Sequence, residues 1–257
     1  MLGAAVLAGT VALIPVGVPA GVGLEVTPAK LDISIPLGLT QNIPITVHNN
    51  TTTPVHVQAQ MVDFGLTKAG EYEFVKAGTK KNSLMRYAAI NPREFDIAPN
   101  AFQQVKLSLV LPAAGLAGEY AGIVFFQTRP ERHSGNAVSF STRVASKIYE
   151  SVPGTTKLAG AITNMVELPT PGGELYRVTF KNIGNQHVYL NGRVEVRRGS
   201  ETVDKITMPS AMLVERGGER VIDVSGKKLR AGSYQAVAII DYGAPKQIGG
   251  EVRFDAR

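Results

Sequence analysis

Apolar and polar residues alternate with a period of two along nearly all of the chain after residue 23, and helical periodicity is almost absent. In Gln104-Val105-Lys106-Leu107-Ser108-Leu109 the odd positions are apolar and the even ones polar. That is the mark of a strand with one face on a core and the other in water. Such segments run over 24–35, 41–49, 55–64, 72–76, 94–97, 103–111, 119–128 and 137–149. Turn residues separate them, as at Pro36-Leu37-Gly38, Asn49-Asn50, Ala69-Gly70 and Pro99-Asn100. Val152-Pro153-Gly154-Thr155-Thr156 interrupts the pattern and reads as a hinge. A second set follows over 158–168, 175–181, 187–197, 202–208, 220–225, 233–242 and 247–254. This spacing predicts an all-β chain of two tandem immunoglobulin-like β-sandwich domains, 21–152 and 153–257, set at an angle that leaves a cleft. Both halves carry an Asn at the end of an early strand, in Val47-His48-Asn49-Asn50 and Phe180-Lys181-Asn182.

The residues before this pattern are of another kind. Glu25 is the first charged residue, and the run MLGAAVLAGTVALIPVGVPAGVGL before it is small and apolar. Val18-Pro19-Ala20 offers the small residues that signal peptidase reads, so 1–20 is expected to be a signal peptide cleaved after Ala20. No Lys or Arg precedes the run, and it is long enough to span a bilayer, so an uncleaved anchor is the alternative. Pro15, Pro19 and the glycines count against an anchor helix. The mature chain is expected to be periplasmic, or otherwise extracytoplasmic, with no stable membrane span.

Composition narrows the chemistry. There are no cysteines, which excludes disulfides, thiolate metal sites, a thiol nucleophile and lipid attachment. The net charge of +6 is scattered, with Lys80-Lys81, Arg197-Arg198 and Lys227-Lys228 as the longest basic runs. With no Trp and no basic stripe interleaved with aromatics, this reads as a soluble basic surface rather than a nucleic-acid site. His48, His56, His133 and His187 have no metal-like spacing and read as turn or surface residues. No nucleophile elbow, phosphate loop or dinucleotide fingerprint occurs. Glu71 and Glu73 share a strand face but read as solvated. Asn49-Asn50-Thr51-Thr52 holds two overlapping sequons and reads as a polar hairpin turn. The expectation is a protein that is not an enzyme and uses no cofactor or metal.

Several stretches, in order, resemble the PapD-like periplasmic pilus chaperones. Val26-Thr27-Pro28-Ala29-Lys30-Leu31 resembles the family's opening strand with its cation. Asn91-Pro92-Arg93-Glu94-Phe95-Asp96-Ile97-Ala98-Pro99 and Gln104-Val105-Lys106-Leu107 resemble the turn and strand that follow. Gly118-Glu119-Tyr120 through Phe125-Phe126 and Arg129-Pro130 resembles the strand before the family's key strand. In the second half, 175–182 and Ile239-Ile240-Asp241-Tyr242-Gly243 resemble family signatures. The likeness runs over 24–254.

What the resemblance implies is donor-strand complementation, a form of β-augmentation. The chaperone lends an edge strand to a pilin-like or other exported subunit that lacks one, before an outer-membrane usher takes the subunit over. The strand placed for this is 137–149, with Val138, Phe140, Thr142 and Val144 on one face and Arg143 and Lys147 on the other. By the resemblance, Lys147 and Lys30 bind the subunit's terminal carboxylate. The family usually has Arg at the first-strand position and a bulky aliphatic where Thr142 stands. Two other readings stay open. Val138, Phe140 and Val144 could be the core face of an ordinary strand, with both lysines solvated. The protein could also be a cell-surface binding or adhesion protein with two immunoglobulin-like domains and no chaperone activity.

Overall fold

The computed structural model describes residues 23–129 and 141–256. The expected signal segment and two donor positions, Val138 and Phe140, therefore lie outside the described residues. No helix among the described residues is long and apolar enough to cross a membrane.

The first sandwich packs two sheets. One orders β1 (Leu24–Thr27), β3 (Thr40–Asn49), β8 (Phe102–Val110) and β6 (Ala88–Asn91). The other orders β2 (Lys30–Ile33), β10 (Arg143–Ser151), β9 (Glu119–Thr128), β4 (Val55–Leu66) and β5 (Tyr72–Lys76), with β7 (Glu94–Ile97) also on β4. Alternate residues of both sheets meet between them: Ile45, Val47, Leu107 and Leu109 face Val57, Val124, Phe126 and Ile148. Removing such side chains from water is the main stabilising term, on the order of 2 kcal/mol each.

The expected single strand over 24–35 is two strands in different sheets. β1 pairs with β3, and after Pro28-Ala29 the chain crosses to pair β2 in parallel with β10. The inward positions show the crossing: Leu24 and Val26 are buried before it, whereas Leu31 and Ile33 pack on the core after it. A flat continuous strand cannot change the parity of its buried face. Two short elements, β6 and β15 (Met212–Val214), carry too few alternating residues to register in the pattern.

The second sandwich packs β11 (Gly160–Thr170), β12 (Gly173–Asn182) and β16 (Glu219–Ser225) on a sheet ordered β14 (Glu201–Thr207), β13 (Val188–Arg198), β17 (Gly232–Asp241) and β18 (Ile248–Ala256), with β15 also on β13. Tyr176, Val178 and Phe180 meet Val194, Ala236 and Ile240 in its core.

Both domains use one device to close the turn after an early strand. Asn49 and Asn182 are each fully buried. The Asn49 amide donates to the carbonyls of Thr53, Ile97 and Ala98, and its Oδ1 accepts from the Thr51 N–H. The Asn182 amide donates to the carbonyls of Gln186, Val214 and Glu215, and its Oδ1 accepts from the Gly184 N–H. Each side chain thus replaces water for several backbone groups that a turn would otherwise bury unpaired.

Candidate functional site

β9 is buried on both faces, which is unusual for a sandwich strand with one side in water. Its even residues fill the core, while Ala121, Ile123 and Phe125 form a second apolar layer with Val62, Phe64 and Tyr149 on the outer face of the sheet. Aromatic residues of β5 and cations of β10 cover this layer. Phe74 sets its ring edge-on to Phe125 at 5.0 Å, and the Arg143 guanidinium lies 4.5 Å over Phe125. A hollow of about 600 Å³ opens beside them, lined in part by Val62, Phe74, Val75, Phe125 and Arg143.

β10 is the strand that carries the predicted donor positions. It pairs with β9 over its whole described length, but with β2 only from Lys147 to Glu150. Among the described residues, Arg143 to Ser146 therefore has no strand hydrogen-bonded on that side, although β1 packs near it and the Ser146 hydroxyl donates to Pro28 C=O. The Lys147 N–H donates to Ala29 C=O on the β2 side, while Thr142 C=O accepts from the Thr128 N–H on the β9 side. By alternation, the backbone groups of Arg143 and Ala145 point to the open edge.

Side chains alternate in the same way. Val144 packs on the first-domain core, on the same face as the fully buried Ser146, Ile148 and Glu150. Thr142 abuts Gly23. Arg143, Lys147 and Tyr149 face the other way, Arg143 over Phe125 of the same domain and Tyr149 against His187 of the second.

Lys30 and Lys147 stand directly opposite one another on paired strands. Both ammonium groups lie 5.4 Å from the centre of the Tyr149 ring. Lys147 Nζ donates to the Tyr72 hydroxyl at 2.9 Å, and Lys30 Nζ bonds Asp32 Oδ2 at 2.8 Å. Lys30 also lies 5.1 Å over Tyr189 of the second domain. Partial burial works to lower the Lys30 pKa, but the Asp32 and Tyr189 contacts outweigh it and hold the pKa above its ordinary value. Three tyrosines from both domains thus frame two cations. Such rings favour a cation electrostatically and leave its N–H donors available to an anion.

Buried polar bonds hold the two domains in this relation. Glu119 is 2 % exposed and accepts the His187 backbone N–H at 2.9 Å and pairs with His187 Nδ1 at 2.6 Å. The His187 ring stacks on Tyr149 at 4.0 Å, and the Tyr149 hydroxyl donates to Glu215 Oε1 at 2.6 Å. Burial pushes the Glu215 carboxyl up, with the Tyr149 bond pulling the other way. Burial also drives the Tyr149 phenol far above its normal range, so it remains a donor. His187 is therefore an interface residue rather than the surface residue expected from the sequence. Its position at a strand start gave no hint of the distant Glu119.

A second contact lies at the β4–β5 hairpin. Lys68 C=O accepts the Val221 N–H at 2.9 Å, and Lys68 Nζ pairs with Glu219 at 2.8 Å. Gly70, at φ +91°, lets the turn come so close that a Cβ there would stand 1.0 Å from Arg220 Nη1.

No protein-family model matches the sequence, and no curated protein matches it. Solved structures do. The class 5 fimbriae chaperone CfaA superposes with a TM-score of 0.52 at 9 % identity, covering 91 % of this chain and 99 % of its own. A structure of a chaperone–tip adhesin complex of CFA/I fimbriae biogenesis gives 0.52 at 12 % identity, covering 91 % and 98 %. The fold is that of the PapD-like fimbrial chaperones. At these identities the likeness concerns architecture, two sandwiches along nearly the whole chain, and it leaves the roles of individual residues to the local chemistry. In that chaperone fold, this chain places its paired lysines, their aromatic frame and the half-open strand β10 on one side of the cleft.

Proposed function

We propose that the protein is a periplasmic, non-enzymatic chaperone for exported subunits with incomplete immunoglobulin-like sandwiches, and that it holds them by donor-strand complementation. The observation that carries this reading is the coincidence of two features on β10. Its edge from Arg143 to Ser146 lacks a hydrogen-bonded strand partner among the described residues, and Lys147 stands at the end of that edge beside Lys30. An extended segment added along the open edge would gain backbone hydrogen bonds and end with its carboxylate at the two ammonium groups. Val138, Phe140, Thr142 and Val144 are the proposed donor side chains, of which Val144 also serves the first-domain core. Residues 1–20 would direct export, and an outer-membrane usher would be the next recipient of the subunit.

Lys147→Ala tests it. Its ammonium is held by one neutral hydroxyl and by aromatic faces, so its loss should change the melting temperature by less than about 2 °C. Subunit recovery on co-expression with a fimbrial subunit should fall at least about tenfold, because a carboxylate left unpaired in a part-desolvated cleft costs about 1.5–3 kcal/mol. Undiminished recovery would refute the anchoring role and favour a surface-binding protein without chaperone activity.

A further inference from the structure

Lys30 and Lys147 face each other in register, and like charges directly opposite on neighbouring strands repel. The two are compensated unequally. Lys30 has Asp32, two residues along the same strand face, at 2.8 Å. Lys147 bonds the neutral Tyr72 hydroxyl, and no carboxylate among the described residues forms an ion pair with it. Glu215 faces it from the second domain, but the Glu215 carboxyl is engaged by the Tyr149 hydroxyl. Among the described residues, the two facing lysines thus share one exposed anion, Asp32. Asp32 sits opposite Tyr149, on the floor of the space an incoming carboxylate would enter.

We propose that Asp32 is a built-in competitor for that carboxylate, and so a determinant of what the cleft accepts. This rests on the reading of Lys30 and Lys147 as carboxylate anchors. Lys30 has three N–H donors, of which Asp32 and Tyr189 engage two, so an arriving carboxylate is not excluded by a lack of donors. It is opposed by repulsion from Asp32. A free anion in solution meets that repulsion with only its charge to offset it. A carboxylate at the end of a segment already paired along β10 arrives at a high effective concentration and overcomes it. Asp32 therefore selects for strand-borne carboxylates over stray anions, and it keeps Lys30 oriented while the cleft is vacant.

The test uses acetate, the carboxylate alone, titrated into the mature chain at constant ionic strength made up with chloride. The ε-carbon NMR shifts of Lys30 and Lys147 are the readout. The wild type should show weak saturable shifts. Asp32→Asn should bind acetate about three- to tenfold more tightly, the effect of removing one like charge roughly 5–6 Å away in a near-aqueous setting. Asp32→Ser should do the same, which separates the charge from any effect of the amide. Glu73→Gln removes an equal charge from exposed β5 and should leave acetate affinity unchanged. If the wild type binds acetate and both Asp32 variants bind it no better, or Glu73→Gln matches them, the competitor role is wrong and the anchors stand. If neither wild type nor variants show a saturable shift, the anchoring reading fails and takes this one with it.

Discussion

Replacing Tyr149 by Phe removes one oxygen from the most connected side chain of the cleft. The ring is 1 % exposed, stacks on His187 and lies under both lysines, and its hydroxyl donates to Glu215 Oε1 at 2.6 Å. Phe keeps the stacking and the cation contacts, so the change isolates that one bond. Glu215 is 8 % exposed, so water does not readily replace the donor. Loss of a buried hydrogen bond to a charged acceptor costs about 1.5–3 kcal/mol, or about 4–8 °C in melting temperature at this size. The pH dependence is the sharper check. Burial already raises the Glu215 pKa, and the tyrosine bond partly offsets this. A carboxyl with a raised folded pKa contributes stability at low pH that is lost as pH climbs through the unfolded and then the folded value. Without the hydroxyl, the folded pKa rises further and the loss at high pH deepens. The variant should therefore trail the wild type by the full amount at pH 8 and by much less at pH 4.5, in paired melts. Equal stability at pH 8, or a larger deficit at pH 4.5, would refute this account of the interface. Under the proposed function, subunit binding at pH 6 should fall only slightly, since stacking on His187 still holds the ring and both ammonium groups keep their aromatic face.

Two further outcomes follow from the geometry. Gly70→Ala makes the Arg220 guanidinium swing aside and holds an alanine at a left-handed φ of +91°, a strain of about 1–2 kcal/mol, so the β4–β5 hairpin contact should loosen and proteolysis at 152–156 should accelerate modestly, and an unchanged digestion rate would show that the hairpin contact is dispensable. Glu167 is pushed up to about 7 by burial and by the Glu174 carboxyl beside it, so stability of the second domain should fall as pH rises from about 4.5 through 7, and Glu167→Gln should flatten that slope in melts from pH 5 to 8.

The strands were legible because their burial alternates. In β3 and β8, Ile43, Ile45, Val47, Val105, Leu107 and Leu109 face one core with polar residues between them, and a period of two is enough to find such strands. Where the rule failed, the cause is local. The segment 24–35 reads as one strand only if the parity shift from Val26 to Leu31 is overlooked, and that shift is where the chain changes sheets. The candidate site was half visible. Lys30 and Lys147 could be picked out on a resemblance, and the alternation of Lys147 with Val144 places that lysine off the core face. Asp32, Tyr72 and Tyr189 carried no such sign, because their meeting depends on pairings far along the chain, 75 positions from Tyr72 to Lys147 and more than 100 between β2 and β10. Glu119 and His187 looked like isolated polar residues at strand starts. Their bond exists only once two separate sandwiches are docked, and no periodicity within either strand encodes it.

The position of the buried polar bonds explains how a strand with part of one edge unpaired stays in register. A strand with one side unpaired is weakly held, and a slip of one residue would turn Lys147 and Tyr149 onto the core and Ile148 and Glu150 into the cleft. β2 guards against this over only four residues, Lys147 to Glu150. Tyr149 adds a constraint from outside the sheet, since its ring must stack on His187 while its hydroxyl reaches Glu215. His187 is in turn fixed by Glu119, at the start of β9, the strand on the other side of β10. The second domain thus grips β10 and its neighbour together, just beyond the open edge. Because polar bonds tolerate displacement poorly, they specify register better than an apolar contact of equal area would. Lys147 lies two residues from Tyr149 on the same face, so whatever holds the tyrosine also places the ammonium at the end of the open edge.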